Sequence, residues 1–345
     1  MKFITLIAFL SLLSACSNPL SDAEDYLNRL ENVLERKADT SSTSATIVSF
    51  PGQKELEVQP PLFELSIREF LGMRQCQLHT VIAQRNSQLG KVATDSQRLF
   101  NDLEILSLGP SCIEKLRGST LAKKLSSFIA KKEAHINTAT WQAILASKEH
   151  RSFWHDKRFS ENYPNDLGLK LTRELHVLSE FVTAIQNGKR RFTKQDQDAV
   201  ERALGQLRLG DGGHLLAKFA ILGSSLERAN SIIQKRLNSP LCRKQQSTQQ
   251  AKYFSNVVNQ YFIGRVQTHA VKLEQRAREL VPLVNGIEKH LLAYATPEYK
   301  NWALARDKQL EIGRAATLKH AKLIQQLYQQ CGLSPGVPKD QEPSA

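Results

Sequence analysis

Thiols are the side chains whose type and spacing offer the clearest chemistry in this chain of 345 residues. A thiol can form a disulfide, ligate a metal or carry a lipid, and each role needs a different setting. No Cys-x-x-Cys element, the spacing typical of zinc sites, occurs in the sequence. The five thiols divide into one close to the N-terminus and four farther along the chain: Cys16, then Cys76, Cys112, Cys242 and Cys331.

The first cysteine closes a segment that resembles an export signal. Lys2 precedes an apolar stretch over residues 3–13, which is about half as long as a membrane-spanning helix. The segment ends in Leu13-Ser14-Ala15-Cys16, which resembles the bacterial lipobox. This resemblance implies a signal peptide over residues 1–15 and a mature N-terminus at Cys16 that carries acyl chains. The alternative is an ordinary signal peptide in which the cysteine stands by chance.

The predicted lipid fixes an expected location in the cell envelope. Several acyl chains on one cysteine hold a protein to a bilayer far better than a single chain does. We therefore expect a lipid-anchored protein that faces the periplasm. Ser17 follows the cysteine, where aspartate would favour retention in the inner membrane. The outer membrane is accordingly the preferred address.

The remaining four cysteines form an even set in an exported protein, which predicts two disulfides. Four cysteines allow three connectivities. We favour Cys76–Cys112 and Cys242–Cys331, because each pair then lies within its own half of the chain.

Other patterns point away from catalysis and metal binding. His150 and His155 are five residues apart and do not share one helix face, so no metal site is predicted there. Gly210, Gly212 and Gly213 match no phosphate-binding loop and predict a turn between helices that needs positive φ. No catalytic residue and no cofactor is predicted, and paired loop carboxylates such as Glu161 and Asp166 leave an envelope hydrolase as the least favoured alternative.

Positive charge is in excess, at a formal net charge of +13, or +12 once Lys2 is removed with the signal. An exported protein is not expected to meet nucleic acid, whereas anionic lipids and glycans are near at hand. The short basic clusters are Lys123-Lys124, Lys131-Lys132 and Lys189-Arg190-Arg191. They either converge on one binding face or form a dispersed, solvated surface.

Helix-forming residues and long apolar stripes at spacings of three and four predict an all-α fold. We expect an elongated helical bundle of long antiparallel helices with an extended N-terminal crossover. The predicted segments after the signal are a lipidated N-terminus with the first helix, an extended linker, a helical domain and a disordered tail, over residues 16–38, 39–62, 63–335 and 336–345.

Several helix limits follow from caps and breakers. Ser96 is predicted to cap a helix that runs to a break at Gly109-Pro110, and one amphipathic helix is predicted over residues 119–149. An irregular aromatic stretch with Trp154 in the core follows. Pro282 is predicted to kink or end a long helix, and Gly332 to follow the last one.

One unusually polar stretch, "AQRNSQLGKVATDSQRL", lies between Cys76 and Cys112. Its residues Arg85, Asn86, Ser87 and Lys91 are either a helix end with a local turn or a rigid recognition loop held by a disulfide.

The same stretch carries a family resemblance. Its Arg-Asn-Ser, Leu-Gly-Lys and Ser-Gln-Arg-Leu elements, with the ending "LARDKQLEIGRAATLKHAKLIQQLYQQCGLSPG", resemble the domain-of-unknown-function family 3080. These are γ-proteobacterial proteins, many of them predicted lipoproteins. The resemblance covers residues 25–335 and implies no known activity.

The sequence leaves three functional hypotheses in order of preference. The first is a non-catalytic envelope interaction or adaptor protein with a protein partner, held to the bacterial membrane by its lipid. The second is a binder of anionic envelope lipid or glycan through the basic clusters, and the third is the hydrolase.

Overall fold

The computed structural model describes residues 19–38, 45–155, 163–164, 168–243 and 246–334. Within these ranges the chain is an all-α bundle without β-strands, as predicted. Its α-helices, in chain order, are α1 Pro19–Leu34, α2 Ile67–Gly72, α3 Leu78–Asn86, α4 Gln88–Lys91, α5 Asp95–Lys115, α6 Thr120–Ile144, α7 Lys148–Trp154, α8 Gly168–Gln186, α9 Lys194–Leu207, α10 Gly212–Leu237, α11 Gln249–Val257, α12 Thr268–Leu291 and α13 Pro297–Gln330.

A π-helical segment, Val258–Gln267, joins α11 to α12. None of the described helices is both long enough and apolar enough to cross a membrane. Cys16, Glu161, Asp166 and residues 336–345 lie outside the described residues.

Side-chain caps set the starts of the helices. Ser119 accepts a hydrogen bond from the Ala122 amide and starts α6, as predicted. The prediction of Ser96 as the cap of α5 was wrong, because Thr94 and Gln97 cap that helix reciprocally. Ser96 instead donates to Glu201 of α9 at 2.6 Å.

The predicted ends of two helices at a proline are absent, whereas the alternative of a kink at Pro282 stays a prediction. Helix α5 continues through Pro110 to Lys115, and α12 continues through Pro282 to Leu291. Proline removes one backbone hydrogen bond from a helix. Beyond Pro110, however, α5 still buries Cys112, which is held by a disulfide.

The amphipathic stretch predicted over 119–149 is two helices rather than one. Helix α6 ends at Ile144, and Ser147 then caps α7. This second helix occupies part of the stretch that was predicted to be irregular. Trp154, at its end, is buried as expected.

The glycines at the start of α10 serve close packing and not positive φ, contrary to the prediction. A Cβ atom on Gly212 would lie 2.5 Å from the Phe153 ring. A Cβ atom on Gly213 would lie 2.2 Å from the carbonyl oxygen of Trp154. The glycines therefore let α7 lie directly against the start of α10. Gly332, in contrast, has a φ of 59° after α13, as its predicted place requires.

Between α1 and α2 the chain from residue 45 to residue 66 is extended, apart from a 3-10 turn at Gln53–Leu56. Gln309 of α13 fixes it through hydrogen bonds to the backbone of Thr46 and Val48, at 2.9 and 3.1 Å. The Phe50 ring packs on Trp302, with centroids 4.6 Å apart. The sequence predicted an extended linker over residues 39–62, of which residues 39–44 lie outside the described ranges.

Two hydrophobic cores share the long helices α5 and α6. The larger core unites α1 and α8–α13 with parts of α5 and α6. The smaller core includes Met73, Leu78 and Leu125 and is crossed by the Cys76–Cys112 disulfide. The second disulfide, Cys242–Cys331, ties the end of α13 to the chain after α10. These are the two pairs that the sequence analysis favoured.

Candidate functional site

A polar cleft opens where the extended crossover passes over α3, α5 and α6. Its cavity measures about 310 Å³. Arg85, Asn86 and Lys91, three of the four residues of the predicted recognition loop, line it. A second cavity of about 380 Å³ continues it and shares Asp95 and Arg98. We call the two together the polar cleft.

Local turn chemistry brings the recognition residues to the cleft. Ser87, the fourth of them, does not line it but accepts a hydrogen bond from the Gly90 amide at 3.2 Å and starts α4. Gly90 is required there, because a Cβ atom would lie 2.2 Å from the Arg85 carbonyl oxygen. Arg98 then donates to the Lys91 carbonyl at 3.1 Å. The turn is thus fixed at both ends, and its cationic side chains share one wall.

A buried ion pair forms the floor of the cleft. Lys132 of α6 donates to Asp102 Oδ2 of α5 at 2.5 Å, and both side chains are almost inaccessible to solvent. Arg85 Nη1 lies 3.5 Å from Asp102 Oδ1. The pair stands between the two hydrophobic cores, where α5 and α6 pass from one to the other. Burial lowers the pKa of the Lys132 ammonium, and the nearby Asp102 charge counteracts this only in part.

His135 lies one helical turn beyond Lys132 and also faces the cleft. Among the described residues, neither of its ring nitrogens has a hydrogen-bond partner, although both are buried. Burial, reinforced by the Lys132 charge, lowers the pKa of the ring. Asp102 Oδ1 also lacks a hydrogen bond within the described part of the chain. The floor therefore offers a neutral imidazole and a carboxylate oxygen with unused bonding capacity.

The cleft carries charges of both signs. Arg85, Lys91 and Arg98 line it together with Asp95, which is three residues before Arg98 on α5, and Glu57 of the crossover. Burial raises the pKa of Asp95, and the Glu57 charge adds to this rise, whereas Arg98 opposes it. An arrangement of this kind can hold a polar segment that has both donors and acceptors. Such a segment would satisfy the groups on the floor.

Apolar side chains flank this polar surface. Leu89 is 82 % exposed and Val92 is 78 % exposed, on the turn that carries the recognition residues. Val92 itself lines the second cavity. Exposed apolar side chains next to polar groups add contact area for a protein partner.

The basic clusters do not form one free cationic face. Lys132 is the buried member of the ion pair described above, so it is not a surface charge. Lys124 pairs with Glu69 at 3.0 Å, and Arg190 pairs with Glu133 at 2.5 Å. The idea that the clusters converge on a single anionic ligand loses support.

Of the two histidines that the sequence analysis considered as metal ligands, His150 has structural partners and His155 is exposed at the end of α7. His150 Nε2 accepts from the Trp154 indole at 2.9 Å, so its Nδ1 carries the proton that is donated to the Leu145 carbonyl. Burial lowers the pKa of His150 to about 4. Cys76 and His79 have a Cys-x-x-His spacing, but the thiol is in a disulfide and the ring stacks on Phe70. Within the described ranges no group of three or more His, Cys, Asp or Glu side chains could hold a metal ion.

The sequence analysis missed the floor of the cleft. Asp102, Lys132 and His135 come from two helices whose mutual register a sequence does not reveal. The spacing of Lys132 and His135 was visible, since residues three apart share a helix face. That spacing alone did not reveal that Asp102 is the ion-pair partner of Lys132.

Comparisons with known proteins bear on the family alone. Neither the curated proteins nor the solved structures contain a match to this chain. A family model described as "Protein of unknown function (DUF3080)" matches residues 23–335, which include both cores and the polar cleft. Since the match spans most of the chain and agrees with the resemblance in its motifs, the protein belongs to the DUF3080 family.

Proposed function

We propose that the protein is a non-catalytic interaction protein of the bacterial envelope, anchored by a lipid on Cys16 and facing the periplasm. In this proposal it binds a segment of another envelope protein in the polar cleft. The observation that carries the proposal is the cleft itself, in which Arg85, Asn86 and Lys91 meet a buried floor with unused hydrogen-bonding capacity.

A protein segment fits this surface better than a polymer of one charge. The cleft offers cations at Arg85, Lys91 and Arg98. It offers anions at Asp95, Glu57 and Asp102, and a polypeptide supplies partners for both charges. The exposed Leu89 and Val92 add apolar contact area at the rim. A phosphate-rich or acidic glycan would leave the carboxylates facing like charge, which costs free energy.

An anionic lipid or glycan remains the second candidate. The favourable observations are the formal net charge of +12 after signal removal and the three cationic side chains that line the cleft, Arg85, Lys91 and Arg98. Binding of this kind would weaken steeply with salt, because exposed charges are screened over about 8 Å at physiological ionic strength.

In-cell photo-crosslinking tests the proposal. A photoreactive residue replaces Val92 at the cleft, and in a matched control it replaces Ile67, which is 80 % exposed. The control position lies away from the cleft. Ile67 starts α2, whose Glu69 pairs with Lys124 of α6. Lys124 in turn lies about 22 Å along α6 from Ala139, which lines the cleft. Position 92 is expected to capture one dominant envelope protein, and position 67 is not.

The outcomes separate the candidates. A single protein that is captured from position 92 and lost in an Arg98→Ala variant supports the adaptor role. Capture of lipid or glycan alone, abolished by high salt, favours the second candidate. Equal capture from both positions, or none from position 92, contradicts the proposed use of the cleft.

A further inference from the structure

An apolar groove continues the seat of α1 beyond the N-terminus of that helix. Helix α1 lies against α10, α11 and the π-helical segment. Asp22 in its first turn is 3.4 Å from Arg265, and the Tyr26 ring is 5.6 Å from that of Phe262. Phe262 also lines the groove, which runs on between α12 and α13 over a cavity of about 420 Å³. We call this cavity the α12–α13 groove.

The directions of the helices show that the groove extends the axis of α1. From Tyr26 back to Glu24, the contacts of α1 move from His320 of α13 to Ser225 of α10. The groove takes the next positions in the same direction, with Leu318 on α13 and Phe219 on α10. The groove therefore begins beside the N-terminal end of α1, where the chain enters that helix.

The lining of the groove suits a hydrocarbon chain. Its apolar lining residues include Phe219 and Phe262, which are buried, and Val271 and Leu318, which are exposed. The charges at its far end pair with one another, since Glu274 accepts from Arg314 at 2.6 Å and from Arg278 at 3.0 Å. An acyl chain needs no polar partner, although the lining also includes the polar side chains of Gln267, Gln275 and Thr317. Leu318 is nevertheless 66 % exposed, as expected of a site whose occupant is another apolar group.

We propose that the α12–α13 groove holds one acyl chain of the lipid on Cys16. This inference rests on the lipid anchor of the proposed function, and it assigns the groove an occupant from the same molecule. Cys16 precedes Pro19 by three residues, which span at most about 11 Å. The groove, from Gln267 to Arg278, is about 16 Å long. The short link keeps the lipid beside the mouth of the groove, and an acyl chain has the length to enter it.

The consequence is that the groove and the bilayer compete for the same acyl chain. Burying methylene groups in the groove is favourable, because it removes apolar surface from water. The groove thereby shields part of the anchor from water whenever the protein is outside a bilayer.

Photo-crosslinking in the full-length chain, expressed in bacteria that process lipoproteins, tests the inference. A photoreactive residue replaces Leu318 in the groove and, as a matched control, Leu304 on the same helix. Leu304 is 69 % exposed and lies about 21 Å away along α13. After purification in mild detergent, illumination and digestion, mass spectrometry is expected to find position 318 joined to the acylated Cys16 peptide. Position 304 is expected to give no such product.

A second variant separates the groove from simple proximity. With the photoreactive residue at position 271, the added change Leu318→Asp places a charge in the groove. It is expected to lower the yield of the Cys16 product at least about tenfold, because an uncompensated charge is costly in apolar surroundings. Leu304→Asp is expected to leave that yield unchanged.

Each result supports or overturns the assignment of the groove. Products with phospholipid or with another protein, or no product from position 318, would overturn the assignment of the groove while leaving a lipidated Cys16 in place. A Cys16 peptide without lipid in the mass spectra would overturn the proposed anchor and this inference together. The mass of that peptide therefore distinguishes failure of the inference from failure of the anchor.

Discussion

Two of the buried ion pairs among the described residues differ in their surroundings, one in the sealed cluster around Arg306 and one on the floor of the polar cleft. In the sealed cluster Arg306 donates two hydrogen bonds to Glu288 at 2.7 and 2.8 Å, and Tyr299 donates a third at 2.7 Å. The guanidinium lies over Trp154 and Trp302 at 4.9 and 5.0 Å. In the cleft, Lys132 and Asp102 make a single short contact.

The difference lies in where the unbonded groups face, since Trp302 Nε1 in the sealed cluster also lacks a hydrogen bond among the described residues. Arg306 also donates to Asn285 and Asp307, so its donors are used within the cluster. Asp102 Oδ1 and both nitrogens of His135 lack hydrogen bonds among the described residues, and they face a cavity. Buried polar groups are normally satisfied, so an unsatisfied set that opens to a cleft indicates a ligand. The sealed cluster is a structural feature, whereas the cleft is a candidate for binding.

The largest expected effect belongs to the sealed cluster. Arg306→Met leaves the buried Glu288 without its cation, which is expected to lower the free energy of unfolding by about 3–5 kcal/mol. Urea unfolding measures this loss. Adding Glu288→Gln removes the stranded charge, so the double variant is expected to be more stable than Arg306→Met alone. A single variant that loses no more than about 1 kcal/mol, as for an exposed pair, would make the two regions alike.

The pH dependence of the sealed cluster gives the next largest effect. Burial lowers the pKa of His150 to about 4, so the unfolded chain takes up the proton first as pH falls. The contribution of His150 to the free energy of unfolding is therefore expected to be constant above about pH 6.5 and to decrease by up to about 1.4 kcal/mol per pH unit between pH 6.5 and pH 4.

Urea unfolding at pH 7 and pH 5 checks this expectation, with His150→Asn as the matched variant. The variant lacks the titrating ring and should lose less stability on acidification than the parent. His320, whose pKa burial lowers to about 3, contributes in the same direction in both proteins. Equal slopes in variant and parent would show that His150 does not carry the effect.

Sequence and structure agree on these regions to different degrees, for a physical reason. Arg85, Asn86 and Lys91 lie within seven positions, so a local pattern was enough to nominate them. Asp102 and Lys132 are 30 positions apart, and only the register of α5 against α6 brings them together. The all-α fold and the disulfide pairs followed from periodicity and cysteine spacing. The continuation of α5 through Pro110 did not, because burial beyond the proline decides it.

Asp102→Asn tests the floor of the cleft and should cost less than Arg306→Met. Lysine, unlike arginine, can lose its proton when it is left unpaired, and burial already lowers the pKa of Lys132. We expect a loss of about 2 kcal/mol at pH 7. A lysine with a lowered pKa destabilises the fold less as pH rises, so the deficit relative to the parent should shrink by pH 9. A deficit that is unchanged between pH 7 and pH 9 would mean that Lys132 stays charged.

The smallest effect on stability should accompany the largest effect on binding. Lys91 is exposed at the cleft and its backbone carbonyl, not its side chain, holds Arg98. Lys91→Ala is therefore expected to change the free energy of unfolding by no more than about 0.5 kcal/mol. Capture of a partner from position 92 should nevertheless fall, while Ile67→Ala leaves it intact. Arg306→Met, measured under conditions where it stays folded, should capture as well as the parent, because the sealed cluster supports the fold and contacts no ligand. If Lys91→Ala captures normally and Arg306→Met does not, the roles assigned to the two regions are reversed.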